Sequence, residues 1–140
     1  KLREADAEYR KCIEVNPRFA EPFLKLGYLY LDHDYANEAV QVFKAGVGIN
    51  DSDGELHLGL GRALQAAKAY DDAIKEFETA RKRNNDLVVT DYELGMTYKL
   101  KDDRKKAKEL LQKFVTGAGA KGTPEMIKAA TDAIYQLDAP

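Results

Sequence analysis

Apolar and small residues recur along this chain with two nested periods. The short period is helical. Leu26, Gly27 and Tyr30 fall on one face, and Ala39, Phe43 and Gly46 fall on another. The long period is 34 residues, and it relates Ala5, Ala39, Ala73 and Ala107. Gly27, Gly61 and Gly95 keep the same step, as do Leu26, Leu60 and Leu94, and Tyr30, Leu64 and Tyr98. Tyr9, Phe43, Phe77 and Leu111 follow four residues beyond each alanine. Pro17, Asp51, Asn85 and Gly119 stand in one further column, and all are turn formers. Each unit therefore reads as a helix, a short turn and a second helix, stacked so that neighbouring units bury a continuous core. The Gly and Ala columns are expected where the two helices of a hairpin bring their backbones closest. The Tyr, Phe and Leu columns are expected to fill the space between hairpins. Leu26, Tyr30, Ala39, Phe43, Leu60, Leu64, Ala73, Phe77, Leu94, Tyr98 and Ala107 form the expected core.

The elements follow from this register. Residues 2–15 read as the second helix of a hairpin. Helix pairs are expected at about 20–33 and 36–49, 54–67 and 70–83, and 88–101 and 103–116. Gly117 to Gly122 is a break rich in Gly and Ala. Thr123-Pro124-Glu125 then opens a last helix, with Thr as the cap, Pro in the first turn and Glu at the positive end. Met126, Ala129, Ala130, Ala133, Ile134 and Leu137 give that helix one apolar side, as a capping helix requires. The chain is thus expected to be one all-α domain over 1–140, divided into a half repeat (1–19), three repeats (20–53, 54–87 and 88–121) and a C-terminal capping helix (122–140).

The columns resemble the tetratricopeptide repeat. That pattern runs aromatic, Leu-Gly, Tyr, Ala, aromatic, small residue and Pro. The first complete repeat reads Phe23, Leu26-Gly27, Tyr30, Ala39, Phe43, Gly46 and Asp51. The second reads His57, Leu60-Gly61, Leu64, Ala73, Phe77, Ala80 and Asn85, and the third Asp91, Leu94-Gly95, Tyr98, Ala107, Leu111, Phe114 and Gly119. The aromatic is lost at His57 and Asp91, and Pro survives only at Pro17. The resemblance implies a helical-hairpin solenoid wound as a right-handed superhelix. It also implies a non-enzymatic module that binds a protein or peptide partner in its concave groove.

In this family the first helix of each hairpin lines the groove. The resemblance therefore assigns partner contact to Leu24, Tyr28 and Leu31 in the first repeat, to Leu58, Arg62 and Gln65 in the second, and to Val89, Tyr92, Met96 and Lys99 in the third. Apolar and aromatic side chains at positions turned away from the packing stripe mark a binding surface. One subfamily grips the C-terminal carboxylate of Hsp70 or Hsp90 with two Lys, two Asn and one Arg. The matching positions here are Leu24, Tyr28, Gly59, Val89 and Glu93, so that tail is not an expected partner.

Charge and candidate chemistry narrow the picture further. Lys plus Arg number 22 against 24 Asp plus Glu, a near balance that gives no attraction to nucleic acid or to anionic lipid. No apolar run is long enough to cross a bilayer. Cys12 is the only cysteine, so an internal disulfide is excluded and a zinc site lacks ligands. A lone cysteine fits a reducing compartment such as the cytoplasm and is compatible with the periplasm. It is expected as a buried, inert thiol. Asn50 to Gly54 has the look of a calcium loop, but that register puts Ile49 at the first ligand and Leu60 at the bidentate acid. Ser52 or Asp53 is expected to cap a helix instead. His33 and His57 occupy different repeat positions, so helical spacing does not pair them. His57 is expected to pack. The basic run from Lys99 to Lys108 is interleaved with Asp102 and Asp103, as on a solvated face. No phosphate loop, nucleophile with base, metal site or cofactor site emerges.

The N-terminal helix matches only the second half of a repeat. Leu2, Ala5, Tyr9 and Ile13 are expected to present apolar atoms on the side a preceding helix would cover. Either further chain upstream or a homodimer through this helix would cover it. A second reading of function follows: a self-assembling structural element of a larger complex, in the style of bacterial repeat proteins of envelope or motility assemblies.

Overall fold

The computed structural model describes residues 1–84, 88–117 and 122–140. Its helices are α1 (Leu2–Val15), α2 (Ala20–Asp32), α3 (Ala36–Ile49), α4 (Gly54–Ala66), α5 (Tyr70–Arg83), α6 (Val89–Leu100), α7 (Arg104–Gly117) and α8 (Pro124–Asp138). The turn residues Asn85 and Gly119, and most of the Gly/Ala break, lie outside the described residues.

Local chemistry sets the helix ends. Asp53 caps α4 by accepting from the amides of Glu55 and Leu56, and Thr123 caps α8 by accepting from Met126. Each hairpin turn is closed in the same way. Asp34, Lys68 and Asp102 take positive φ, at 62°, 64° and 62°. Beyond them the amides of Tyr35, Ala69 and Asp103 donate back to the carbonyls of Tyr30, Leu64 and Tyr98 at 2.8, 2.9 and 2.9 Å. This satisfies carbonyls that every helix end leaves open. The three left-handed residues keep the 34-residue step, although none is glycine.

The chain divides into two compact units, Lys1–Asn84 and Asn85–Pro140. In the first, α2 to α5 stack as two hairpins, and α1 lies against α2. Phe43, fully buried, is the centre of that stack. A Cβ built on Gly27 would stand 2.4 Å from its ring, and one on Gly59 would stand 2.3 Å from it. Phe43 thus fills a slot between its own hairpin and the next. Gly27 of the Gly column makes room for this ring. Gly61 stands in the same relation to Phe77, at 2.5 Å. The periodicity alone suggests a contact between backbones; Gly27 instead meets an aromatic side chain, whereas a Cβ on Gly95 would meet the Leu111 side chain and, at 3.2 Å, the Leu111 backbone nitrogen. In the second unit α6 and α7 form the hairpin and α8 covers it. Leu111, Phe114, Ala130 and Ala133 make its core.

Most of the expected core is buried: Leu26, Ala39, Phe43, Leu60, Leu64, Ala73, Phe77, Leu94 and Ala107. Tyr30 and Tyr98 are only half-buried. Each turns its ring toward a polar partner near the edge. The Tyr30 hydroxyl donates to Asp6 on α1 at 2.7 Å, and Lys106 lies 5.2 Å from the centre of the Tyr98 ring. Cys12 is exposed and not buried. No residue of α1 is fully buried, because only one side of that helix has a neighbour within the unit.

Candidate protein-binding face

Within the first unit, α2 and α4 lie side by side. They carry six of the groove residues expected from the sequence. Leu24, Tyr28 and Leu31 on α2 are half-buried, as are Arg62 and Gln65 on α4. Leu58 is 2% exposed and belongs to the core, so it offers a partner nothing. It lies on a helix with buried residues almost all round, from Gly54 to Leu64.

Tyr28 and Arg62 form one device. The Tyr28 ring meets Phe43 edge-on, with centroids 5.2 Å apart and planes at 74°. Arg62 lies 5.8 Å from the ring centre of Tyr28 and donates from Nη1 to its hydroxyl at 2.9 Å. The core phenylalanine thereby fixes the tyrosine, and the tyrosine holds the guanidinium. On α2, Glu21 and Lys25 pair at 3.3 Å along the helix, so their charges largely cancel.

Val89, Tyr92, Met96 and Lys99 belong to the second unit, on α6. Val89 is half-buried. Tyr92 lies 5.3 Å from Phe114, and both Tyr92 and Met96 pack against the cluster that α8 completes. Lys99 donates to Gln136 of α8 at 2.7 Å. These three side chains are engaged by the capping helix. The apolar character of Tyr92 and Met96 answers α8, which periodicity along α6 does not reveal.

Two polar networks escaped the sequence reading. Asp6 accepts from Tyr30, and from Arg10 Nε at 2.9 Å. Burial pushes the Asp6 carboxyl up, but the bonds from Tyr30 and Arg10 outweigh it and hold the group below its usual range. The second network surrounds His57, which is 3% exposed. Its Nδ1 is hydrogen-bonded to Glu76 Oε2 at 2.6 Å, and its Nε2 donates to the Asp51 carbonyl at 2.8 Å. Arg83 pairs with the Asp51 carboxylate from the end of α5. Residues one repeat apart are neighbours in a solenoid, and that signal could have linked Tyr28 to Arg62. The helix-to-helix reach of Glu76 has no such signature.

His57 therefore packs as expected from its column, but as a polar joint. In repeat register the pair His57 and Glu76 replaces Phe23 and Val42. His57→Phe alone is expected to cost about 1–3 kcal/mol, because Glu76 and the Asp51 carbonyl lose their partner. His57→Phe with Glu76→Val copies the apolar pair of the preceding repeat and is expected to recover most of that loss, as read by urea unfolding.

Two sequence models, both described as tetratricopeptide repeat, match residues 30–90 and 92–116, together more than half of the chain. The chain belongs to the tetratricopeptide repeat family. No curated protein sequence matches it significantly. Among solved structures, this tetratricopeptide repeat chain is similar to a crystal structure of MamA, with TM-score 0.74 and 22% identity over 97% of this chain and 86% of that one. It is similar to the type III secretion translocator chaperone SycD of Yersinia enterocolitica, with TM-score 0.77 and 19% identity over 84% of this chain and 81% of that one. The TPR2B domain of yeast Sti1, in its complex with pHsp70, matches with TM-score 0.77 and 15% identity over 84% of this chain and 94% of that one. At these identities the likeness establishes the helical-hairpin fold. Among the described residues, no group of three His, Cys, Asp or Glu side chains is placed to hold a metal ion, and no helix is long and apolar enough to cross a membrane.

Proposed function

We propose that this chain is a non-enzymatic protein-interaction scaffold, and that its α2–α4 face takes an extended segment or a helix of a partner protein. The observation that carries this reading is the Tyr28–Arg62 device beside Leu24 and Leu31. An aromatic, a guanidinium and two leucines, all half-buried, share the face of two adjacent helices. Tyr and Arg dominate interface energetics where they are held rigidly, and both are held here. The family supports the reading, since tetratricopeptide arrays hold other proteins. The neighbours include one in complex with pHsp70 and one that is a secretion chaperone. The Hsp70 or Hsp90 tail is not the ligand this reading expects, because the clamp positions that the resemblance assigns, Leu24, Tyr28, Gly59, Val89 and Glu93, supply no cation to a carboxylate.

The test begins with a partner isolated on the intact chain and titrated calorimetrically. Arg62→Ala and Leu24→Ala are each expected to weaken binding by more than about 1 kcal/mol, roughly fivefold, with the helical circular dichroism retained. Affinity unchanged in both variants would move the site off this face.

A further inference from the structure

A cleft of about 400 Å³ opens in the first unit between α1 and α3, on the flank of α2. Phe23 and Val42 line it, with Ile13 of α1 and Ala45 of α3 beside them. Phe23 and Val42 are largely buried, whereas Ile13 is half-buried and Ala45 exposed. The cleft is therefore apolar within and open at its mouth.

Two carboxylates stand among its lining, Glu14 on α1 and Glu38 on α3. Both are exposed, and neither has a side-chain partner among the described residues. Among the described residues the one cation in the lining is Arg10, and it is already matched, since both Asp6 carboxylate oxygens accept from its Nε at 2.9 and 3.0 Å. An apolar pocket edged by two uncompensated negative charges selects an apolar group that carries a positive charge beside it.

The next repeat is built differently at these positions. At the positions equivalent to Phe23 and Val42, His57 and Glu76 bridge α4 and α5 with a 2.6 Å hydrogen bond. In the first repeat the corresponding pair is wholly apolar and cannot make that bridge.

We propose that this cleft is a second docking site, which takes an apolar side chain flanked by Lys or Arg on a segment of a partner protein. The site is lined by α1, α2 and α3 and is independent of the α2–α4 face proposed above. The carboxylates repel an anionic membrane surface, so the basic segment belongs to a protein.

The test uses two blocked peptides that differ only in flanking charge. One has a leucine between two lysines, and the other has the same leucine between two glutamates. Each is titrated into the full chain while methyl resonances are followed by NMR. The lysine peptide is expected to shift the methyls of Ile13, Val42 and Ala45 saturably. The glutamate peptide is expected to bind about fivefold more weakly, the size of two exposed ion pairs. In the double variant E14K/E38K the order of the two peptides is expected to reverse. The proposal is overturned if those methyls do not shift, if the shifts fall on Leu24 and Leu31 instead, or if the order survives the charge reversal. Shifts at Leu24 and Leu31 would leave the α2–α4 reading intact, so the two proposals fail separately.

Discussion

Phe43→Ala is expected to lower the stability of the first unit by about 3–5 kcal/mol, the range for removing a fully buried aromatic side chain. The ring is 0% exposed and serves three neighbours at once. It fills the slot between Gly27 and Gly59, and it backs the ring of Tyr28. Two glycines facing one cavity cannot close it, because neither has a side chain to relax inward. The loss should therefore lie near the upper end of the range. Chemical unfolding monitored at 222 nm gives the magnitude. A loss below about 1 kcal/mol, the centre of the range for point substitutions in general, would show that Phe43 does not carry the stack. Because Phe43 supports Tyr28, the same variant should also loosen Arg62 and weaken partner binding on the α2–α4 face.

Gly59→Ala sets two opposed effects against each other. Alanine is favoured over glycine inside a helix by about 1 kcal/mol. The new Cβ would stand 2.3 Å from Cε1 of Phe43, closer than any real contact. A ring at the free end of a side chain could turn away from such a clash. This ring has little room to turn, because it also lies against Gly27, so closely that a Cβ built there would stand 2.4 Å from its Cζ. Overpacking, at about 1–3 kcal/mol, is therefore expected to win, and Gly59→Ala should destabilise. In a Phe43→Leu background the clash is reduced and the helix preference remains. The same substitution should then be close to neutral. Melting curves of the four proteins in this cycle give the coupling. A stabilised Gly59→Ala single variant would mean that Phe43 is free to move.

The hairpins themselves were legible in the residues. A column of Gly, a column of Ala and a column of large apolar side chains, each at 34-residue spacing, admit few arrangements other than stacked helical pairs. The helix starts at Gly54 and Pro124 were legible because a cap is a contact within four residues. The partner-binding face was legible only in part. Tyr28 and Arg62 keep the repeat period, so their adjacency follows from stacking. Tyr92, Met96 and Lys99 looked equivalent to the residues of the first repeats, yet α8 engages them. Periodicity reports which side of a helix a residue occupies. It does not report which later segment returns to cover that side.

By itself, then, the sequence determined the all-α class, the register of the hairpins and the membership of most of the core, because those depend on spacing along single helices and on one repeat length. Only the tertiary structure decided that Gly27 and Gly61 each make room for a ring, that Leu58 is core, that Cys12 is exposed, and that His57 is tied to Glu76 and Asp51. It also decided that Phe23 and Val42 line an open cleft edged by Glu14 and Glu38. Each of these depends on side chains meeting across helices at distances of a few ångströms. Such contacts are set by rotamer, by the size of the neighbour and by how far two helices stand apart, and none of these quantities has a period along the chain.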